Sequence, residues 1–430
     1  MERHPPRKGT VISTSTGRLR VAMFTDNYGP RASGLVRAVQ ELEHQVLAEG
    51  HEVLLVAPAS AGTSPDAEDP WRSERRLASL PVPGVQLRLS LGRGFERALD
   101  ELVADPPDVV HVHGLGPVGL LGMWVAEKAD RPLVVTWHTD FEAYAEHFGP
   151  MLPALAGAYR VFFRHFDAGR DLARGIPGEG RSRSLADLLA LAAALLTEAD
   201  VVTTPSDKTA DRVLSIAPDA HVQVVPNGCD PLPEQPALSR GTGPRLLYVG
   251  WVGAEKGIGL LLDAFDLVRQ ARPDAELVLV GPRNTGDLGL RRRLGRAIRA
   301  GGVHWVGEVP HDQLAAWYAS ADLFVFGSET DTQALVLHEA AHAGLPLVLV
   351  DPGLRLVAED GVNARFARPE PSELAATVLD FLAALADPAT AARASARSRE
   401  LAAVHTGRHQ AQVMLGIYQE LAELRRGTGT

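Results

Sequence analysis

This chain of 430 residues has one cysteine, Cys229, and only four lysines, Lys8, Lys128, Lys208 and Lys256, among 43 basic residues. A single cysteine excludes an internal disulfide framework and fits a reducing, cytoplasmic setting. The net charge of −10 argues against general nucleic-acid binding. No apolar run approaches the ~18 residues of a membrane span. The start, MERHPPRKGTVISTSTG, lacks the apolar stretch of a secretory signal, and residues 1–18 read as a disordered leader. After the first strand stands TDNYGPRASGL rather than G-x-G-x-x-G, which disfavours a dinucleotide dehydrogenase. No G-x-x-x-x-G-K-[ST] occurs, which excludes a P-loop NTPase, and there is no D-x-D.

What is present is alternation. Short β-branched runs (RVAMFTD, EVLLVAP, VQLRLS, DVVHVHG, LVVTWHT, DVVTTPS, VQVVPNG) alternate with helical patterns through the first half. Their near-continuous apolar character predicts parallel strands buried on both faces. The pattern breaks at 233–244, a Pro- and Gly-rich linker, and restarts with RLLYVG, ELVLVG, VHWVG, LFVFG and PLVLVD. This predicts two doubly wound α/β domains, 19–232 and 245–405. A last helix over 406–430 is expected to pack back on the first domain. Residues 60–80 read as a polar mobile loop, and 150–198 as a long helical insertion. Within that insertion, YRVFFRHFDAGRDLARG interleaves aromatics with arginines. Such a helix either packs on its own domain or touches an anionic membrane as a peripheral contact.

Two stretches carry chemistry. In YVGWVGAEKGIGLLLDAF, Lys256 follows a strand and a glycine turn where a helix begins. Free N–H groups and a positive dipole end gather there, a setting suited to a diphosphate. A solvated surface lysine is the plain alternative. In SETDTQALVLHEAAHAGLPLV, Asp331 precedes Glu339 by eight residues, in the loop before a helix that is expected to start near Gln333. Glu339 is placed about two turns into that helix. The loop carboxylate suits sugar hydroxyls and the deeper one a ribose; a helix cap and a surface charge are the plain alternatives.

These residues, with GHEVLLVAP, SLPVPGVQLRL, PDVVHVHG, TWHTDF, VVPNG and AGLPLVLVD, resemble the retaining GT-B glycosyltransferases of family 4, most of all their lipid and mannosyl transferases. The resemblance spans most of residues 19–420. It implies two Rossmann-like domains facing across a cleft, and transfer of a hexose from a nucleotide diphosphate sugar to an acceptor hydroxyl with retention. No cofactor or metal is implied, since the UDP- or GDP-sugar is a substrate. The acceptor is open among lipids, saccharides and secondary metabolites, and the setting is cytoplasmic or at the inner face of a membrane. By resemblance, Gly34, beside Arg31 and Ser33, approaches the donor, His138 meets the transferred sugar, and Lys256 binds the diphosphate. Gly307 and Glu308 lie at the nucleotide base. The Gln333–Ala334–Leu335 turn offers amides, and Asp331 and Glu339 contact sugar and ribose.

Three departures stand out. Trp251 occupies the place of a diphosphate-binding arginine, Asp331 that of a longer glutamate, and Ala334 that of a glycine. Tryptophan offers one neutral donor and no charge, so Arg283 or Arg31 is a candidate substitute. The same departures leave open a non-catalytic sugar-nucleotide-binding protein of this fold. An epimerase or phosphorylase of the fold ranks behind both.

Overall fold

The computed structural model describes residues 17–28, 34–59, 66–81, 88–90, 93–138, 183–283 and 286–428. Fifteen strands are found among these residues. They are β1 Arg20–Phe24, β2 Glu52–Pro58, β3 Arg72–Leu77, β4 Ser79–Pro81, β5 Arg88–Ser90, β6 Val109–Val112, β7 Leu133–Thr136, β8 Val201–Thr204, β9 Val222–Val224, β10 Arg245–Val249, β11 Glu276–Val280, β12 Val303–Gly307, β13 Leu323–Phe326, β14 Leu347–Leu349 and β15 Ala364–Phe366. One sheet runs β3-β2-β1-β6-β7-β8-β9 and the other β12-β11-β10-β13-β14-β15. The two-domain, parallel α/β architecture expected from the apolar runs is therefore observed. Its cause is burial: β10, β13 and β14 are buried at every residue, which only a sheet covered on both faces requires.

By packing, the chain divides into two compact units, Met1–Ala32 with Leu42–Val134 and Ala411–Thr430, and Ser33–Glu41 with Val135–Gln410. In the first, Tyr418 of the C-terminal helix Gly407–Thr428 bonds His111 Nδ1 through its hydroxyl at 2.6 Å. Among the described residues no single helix is long and apolar enough to cross a membrane.

Two local expectations are corrected, and one strand was not expected. Within the stretch read as a loop, Arg72–Leu77 is an edge strand paired parallel to β2. Its sequence RSERRL hid it, because only Leu77 is buried among its neighbours and charge is what an exposed edge tolerates. Of VQLRLS, the described residues Arg88–Ser90 form β5, antiparallel to β4 and outside the parallel sheets. β15 is three residues, too short for any periodic signal. Of the expected insertion, Arg183–Glu198 is a helix. The aromatic–arginine segment lies outside the described residues.

The carboxyl end of β1 shows how glycine placement builds a buried contact. The Asp26 carboxylate accepts from Val118 N at 2.8 Å and Gly119 N at 3.3 Å, in the first turn of helix Pro117–Ala129. A Cβ on Gly116 would lie 2.3 Å from Asp26 Cγ, so only glycine fits. Burial pushes Asp26 up from 3.8 to about 6, against the pull of those helix amides. With the folded value above the unfolded one, the group adds stability below pH 4, and that share is lost as pH rises through 6. Asp26→Asn keeps one of the two acceptor oxygens and removes the titration. Its stability margin over wild type is expected to grow by roughly 2–3 kcal/mol between pH 4 and 7, read from denaturant melts. Parallel pH curves for the two proteins would contradict the raised value.

Candidate active site

In the second sheet the strand order reverses between β10 and β13, and ligands of such sheets bind beyond the carboxyl ends at that point. The loops leaving β10 and β13 carry Lys256 and Asp331. Tyr248 hydroxyl donates to Trp251 O at 2.9 Å and shapes the first turn. Lys256 does not open the helix, as expected from sequence, but ends a 3₁₀ turn, Ala254–Lys256; the helix Ile258–Ala271 begins after Gly257 at φ 67°. A Cβ on Gly257 would sit 1.9 Å from Gly327 O, so glycine lets the two loops touch. Thr330 Oγ1 donates to Glu255 O at 3.2 Å across the same seam. The result is a Lys256 Nζ to Asp331 Oδ1 contact of 2.8 Å, with Ser328 Oγ donating to the other carboxylate oxygen at 2.5 Å. Gly257→Ala combines left-handed strain of ~1–2 kcal/mol with that clash. It is expected to lower the denaturation midpoint and weaken donor binding together; a variant as stable as wild type would show that the loops are not held by this approach.

The Asp331 loop is fastened from behind. Lys208 Nζ donates to Glu329 O at 2.8 Å and Asp331 O at 3.0 Å, and pairs with Asp351 at 2.5 Å. Ser206 Oγ donates to Thr332 O at 2.5 Å, and Thr332 Oγ1 to His138 O at 3.2 Å. The buried Gln333 side chain accepts from Asn227 N at 2.8 Å and donates to Asn227 O at 2.9 Å. Ala334 then turns the chain at φ 59°, where the sequence places no glycine, and the helix Leu335–His342 starts two residues later than expected. The backbone amides of Ala334, Leu335 and Val336 meet no acceptor among the described residues. A helix N-terminus left open in this way is an anion site in waiting. Lys256, on the facing loop, adds a full positive charge.

Glu339 lies one turn into that helix, not two, and it is buried at 3 % exposure rather than being a surface charge. Its Oε1 accepts from Arg37 Nη1 at 2.6 Å and lies 2.9 Å from His311 Nε2, while Oε2 accepts from Tyr318 at 2.7 Å. Burial pushes the carboxyl upward, but His311, Arg37 and Tyr318 outweigh it and leave the group below its ordinary range. Glu339 is therefore a buried ionised carboxylate held by three polar partners. Cys229, beside this cluster, is pushed well up by burial and by the Glu339 charge, so it is an inert thiol.

The other predicted residues lie on several elements of the chain. His138 is half-buried, and burial takes its ring down to about 4. It is neutral near pH 7 and can exchange hydrogen bonds with a hydroxyl without balancing phosphate. Arg283 stacks on Trp305, 4.4 Å from the ring centroid, and its backbone bridges Val252, next to the half-buried Trp251. Gly307 closes β12 at φ 87°, with Glu308 exposed after it. Gly34 is the first residue of the helix Gly34–Ala48, three before Arg37. Arg31 and Ser33 lie outside the described residues. Sequence reasoning missed Arg37, Lys208, His311 and Tyr318. Only Lys208 carried a signal, as one of four lysines and directly after the ADVVTTPS motif.

Comparison with known proteins agrees with the fold and with the family resemblance. The family described as Glycosyltransferase Family 4 matches residues 32–231, and Glycosyl transferases group 1 matches 243–384. The chain is 26% identical over 371 residues to an alpha-monoglucosyldiacylglycerol synthase of Acholeplasma laidlawii, covering 81% of this chain and 84% of that one. It is 29% identical over 345 residues to a GDP-mannose-dependent alpha-mannosyltransferase of Mycobacterium tuberculosis, covering 78% and 80%. Among solved structures, HepE of Anabaena in complex with UDP and glucose superposes with a TM-score of 0.68 at 17% identity, covering 94% of this chain and 100% of that one. Sucrose-phosphate synthase from Thermosynechococcus elongatus gives 0.68 at 19%, covering 94% and 99%. The shared fold is GT-B.

Proposed function

Because the chain belongs to glycosyltransferase family 4 and is a glycosyltransferase, we propose that it moves a hexose from a nucleotide diphosphate sugar to a hydroxyl of a lipid or saccharide, with retention and without a metal ion. One observation supports this above the others: Lys256 stands 2.8 Å from Asp331, on the loop leading to the open N-terminus of helix Leu335–His342. Charge develops on the diphosphate as the sugar leaves. A lysine and oriented amides stabilise it there without reorganisation, the part a metal ion plays elsewhere. The neutral His138 and the Asp331 carboxylate suit the hydroxyls of the sugar, and Glu339 those of the ribose. The departing phosphate oxygen takes the acceptor proton, so no strong protein base is required. The relatives point to glucose or mannose as the hexose and to a glycerolipid as one acceptor.

The test is release of nucleoside diphosphate from UDP- and GDP-hexoses, with diacylglycerol vesicles or mannosides as acceptors, in the presence of chelator. Product with the donor's anomeric configuration, formed with chelator present, is expected. An inverted product, or activity that returns only on adding a divalent cation, would overturn the corresponding part.

A further inference from the structure

We infer that Arg37 is the second cation of the diphosphate site, held on Glu339 until a nucleotide takes that carboxylate; this rests on the donor-binding reading above. The turn that precedes Lys256 carries Trp251, so Lys256 is the only formal positive charge on that loop. A diphosphate carries more than one negative charge and is best met by a planar, bidentate donor beside the lysine.

Arg37 has the features such a donor needs. One N–H of its guanidinium reaches Glu339 Oε1 at 2.6 Å, and the rest meet no acceptor among the described residues. Its side chain is 26% exposed against 2% for the carboxylate, so the accessible partner is the arginine. Glu339 already accepts from Arg37, His311 and Tyr318, out of about four lone-pair directions. A ribose diol requires two of them, and one present donor therefore has to leave. Tyr318 is fixed in the core at 1% exposure, its ring tilted against Phe324, and cannot. His311, 47% exposed, brings single ring N–H groups and no bidentate fork, so the donor that can both leave and serve the diphosphate is Arg37, which is long, 26% exposed and near the start of its helix. Glu339 lies four residues past Leu335, about 6 Å along the axis, so a released guanidinium is within one side-chain swing of the open amides. Ribose binding and phosphate binding are thus coupled through one arginine: the diol displaces it and the diphosphate receives it. Arg283, engaged on the Trp305 ring, is the rival for the same role.

The test is calorimetric titration of UDP, GDP, uridine and guanosine into the wild type, Arg37→Ala, Arg283→Ala, Trp251→Arg and the double variant Arg37→Ala/Trp251→Arg. Arg37→Ala is expected to weaken the nucleoside diphosphate tenfold or more, while the nucleoside binds as well or better. Trp251→Arg is expected to recover most of that loss in the Arg37→Ala background and to change wild type less than threefold. If Arg37→Ala fails to fold, Arg37→Gln carries the same comparison. Equal loss for nucleoside and diphosphate would make Arg37 a strut for Glu339 and overturn the inference, as would no loss, or loss confined to Arg283→Ala. A wild type that binds neither UDP nor GDP would instead remove the donor-binding reading itself, and the inference with it.

Discussion

Lys256→Ala is expected to lower kcat/KM for sugar transfer at least a hundredfold while leaving the fold intact. Lys256 and Asp331 are each about four-fifths buried, in a contact of 2.8 Å. A charge-assisted contact to phosphate is worth about 1.5–3 kcal/mol, or roughly ten- to a hundredfold in affinity for the ground-state diphosphate. The leaving group carries more charge in the transition state, so kcat is expected to fall as well. Lys208 does not rescue the variant, although it stands behind the same loop. Its amine is spent on the carbonyls of Glu329 and Asp331 and on the Asp351 carboxylate. Lys256→Arg is expected to keep part of the affinity, since charge survives and geometry does not. Single-turnover kinetics and titration with nucleoside diphosphate read both effects, and values within twofold of wild type would end the phosphate role. Nucleoside lacking phosphate is the control and is expected to bind unchanged.

The sheets, the Lys256 loop and the Asp331–Glu339 stretch were legible because their signals are local. LVLV and LFVF are apolar throughout, and E-K-G and D-x₇-E are contiguous. What was not legible lies in contacts between residues far apart in the chain. Arg37 meets Glu339 across 302 positions, and Lys208 meets the Asp331 loop across 123. No periodicity encodes such pairs. The helix start near Gln333 was displaced for a different reason. Ala334 adopts a left-handed conformation that alanine disfavours, held there by Gln333 on Asn227. Tertiary contacts overrode local preference at that one residue. Glu339 shows the same limit in reverse: a carboxylate on an amphipathic helix reads as solvated until its buried partners Tyr318, Arg37 and His311 are known.

Those partners decide how the division of roles between the two carboxylates has to be tested. Glu339→Ala empties the centre of a buried charge cluster and is expected to cost about 3–5 kcal/mol of stability, a loss that would mask any effect on binding. Glu339→Gln keeps the volume and one acceptor oxygen. It removes the charge that holds Arg37 and His311, and it leaves one acceptor where a ribose diol requires two. It is expected to weaken nucleoside and nucleoside diphosphate alike, by tenfold or more, with Tm lowered. Asp331→Asn alters a smaller, more open pair at the sugar end. It is expected to cut transfer a hundredfold or more while nucleoside diphosphate affinity stays within threefold, because the Lys256 charge that meets the phosphate is retained. Calorimetry with the bare nucleotide, set beside turnover of the sugar nucleotide, separates the two. Equal losses of nucleotide affinity in both variants would show that the carboxylates act as one charge cluster and not as separate ribose and sugar contacts.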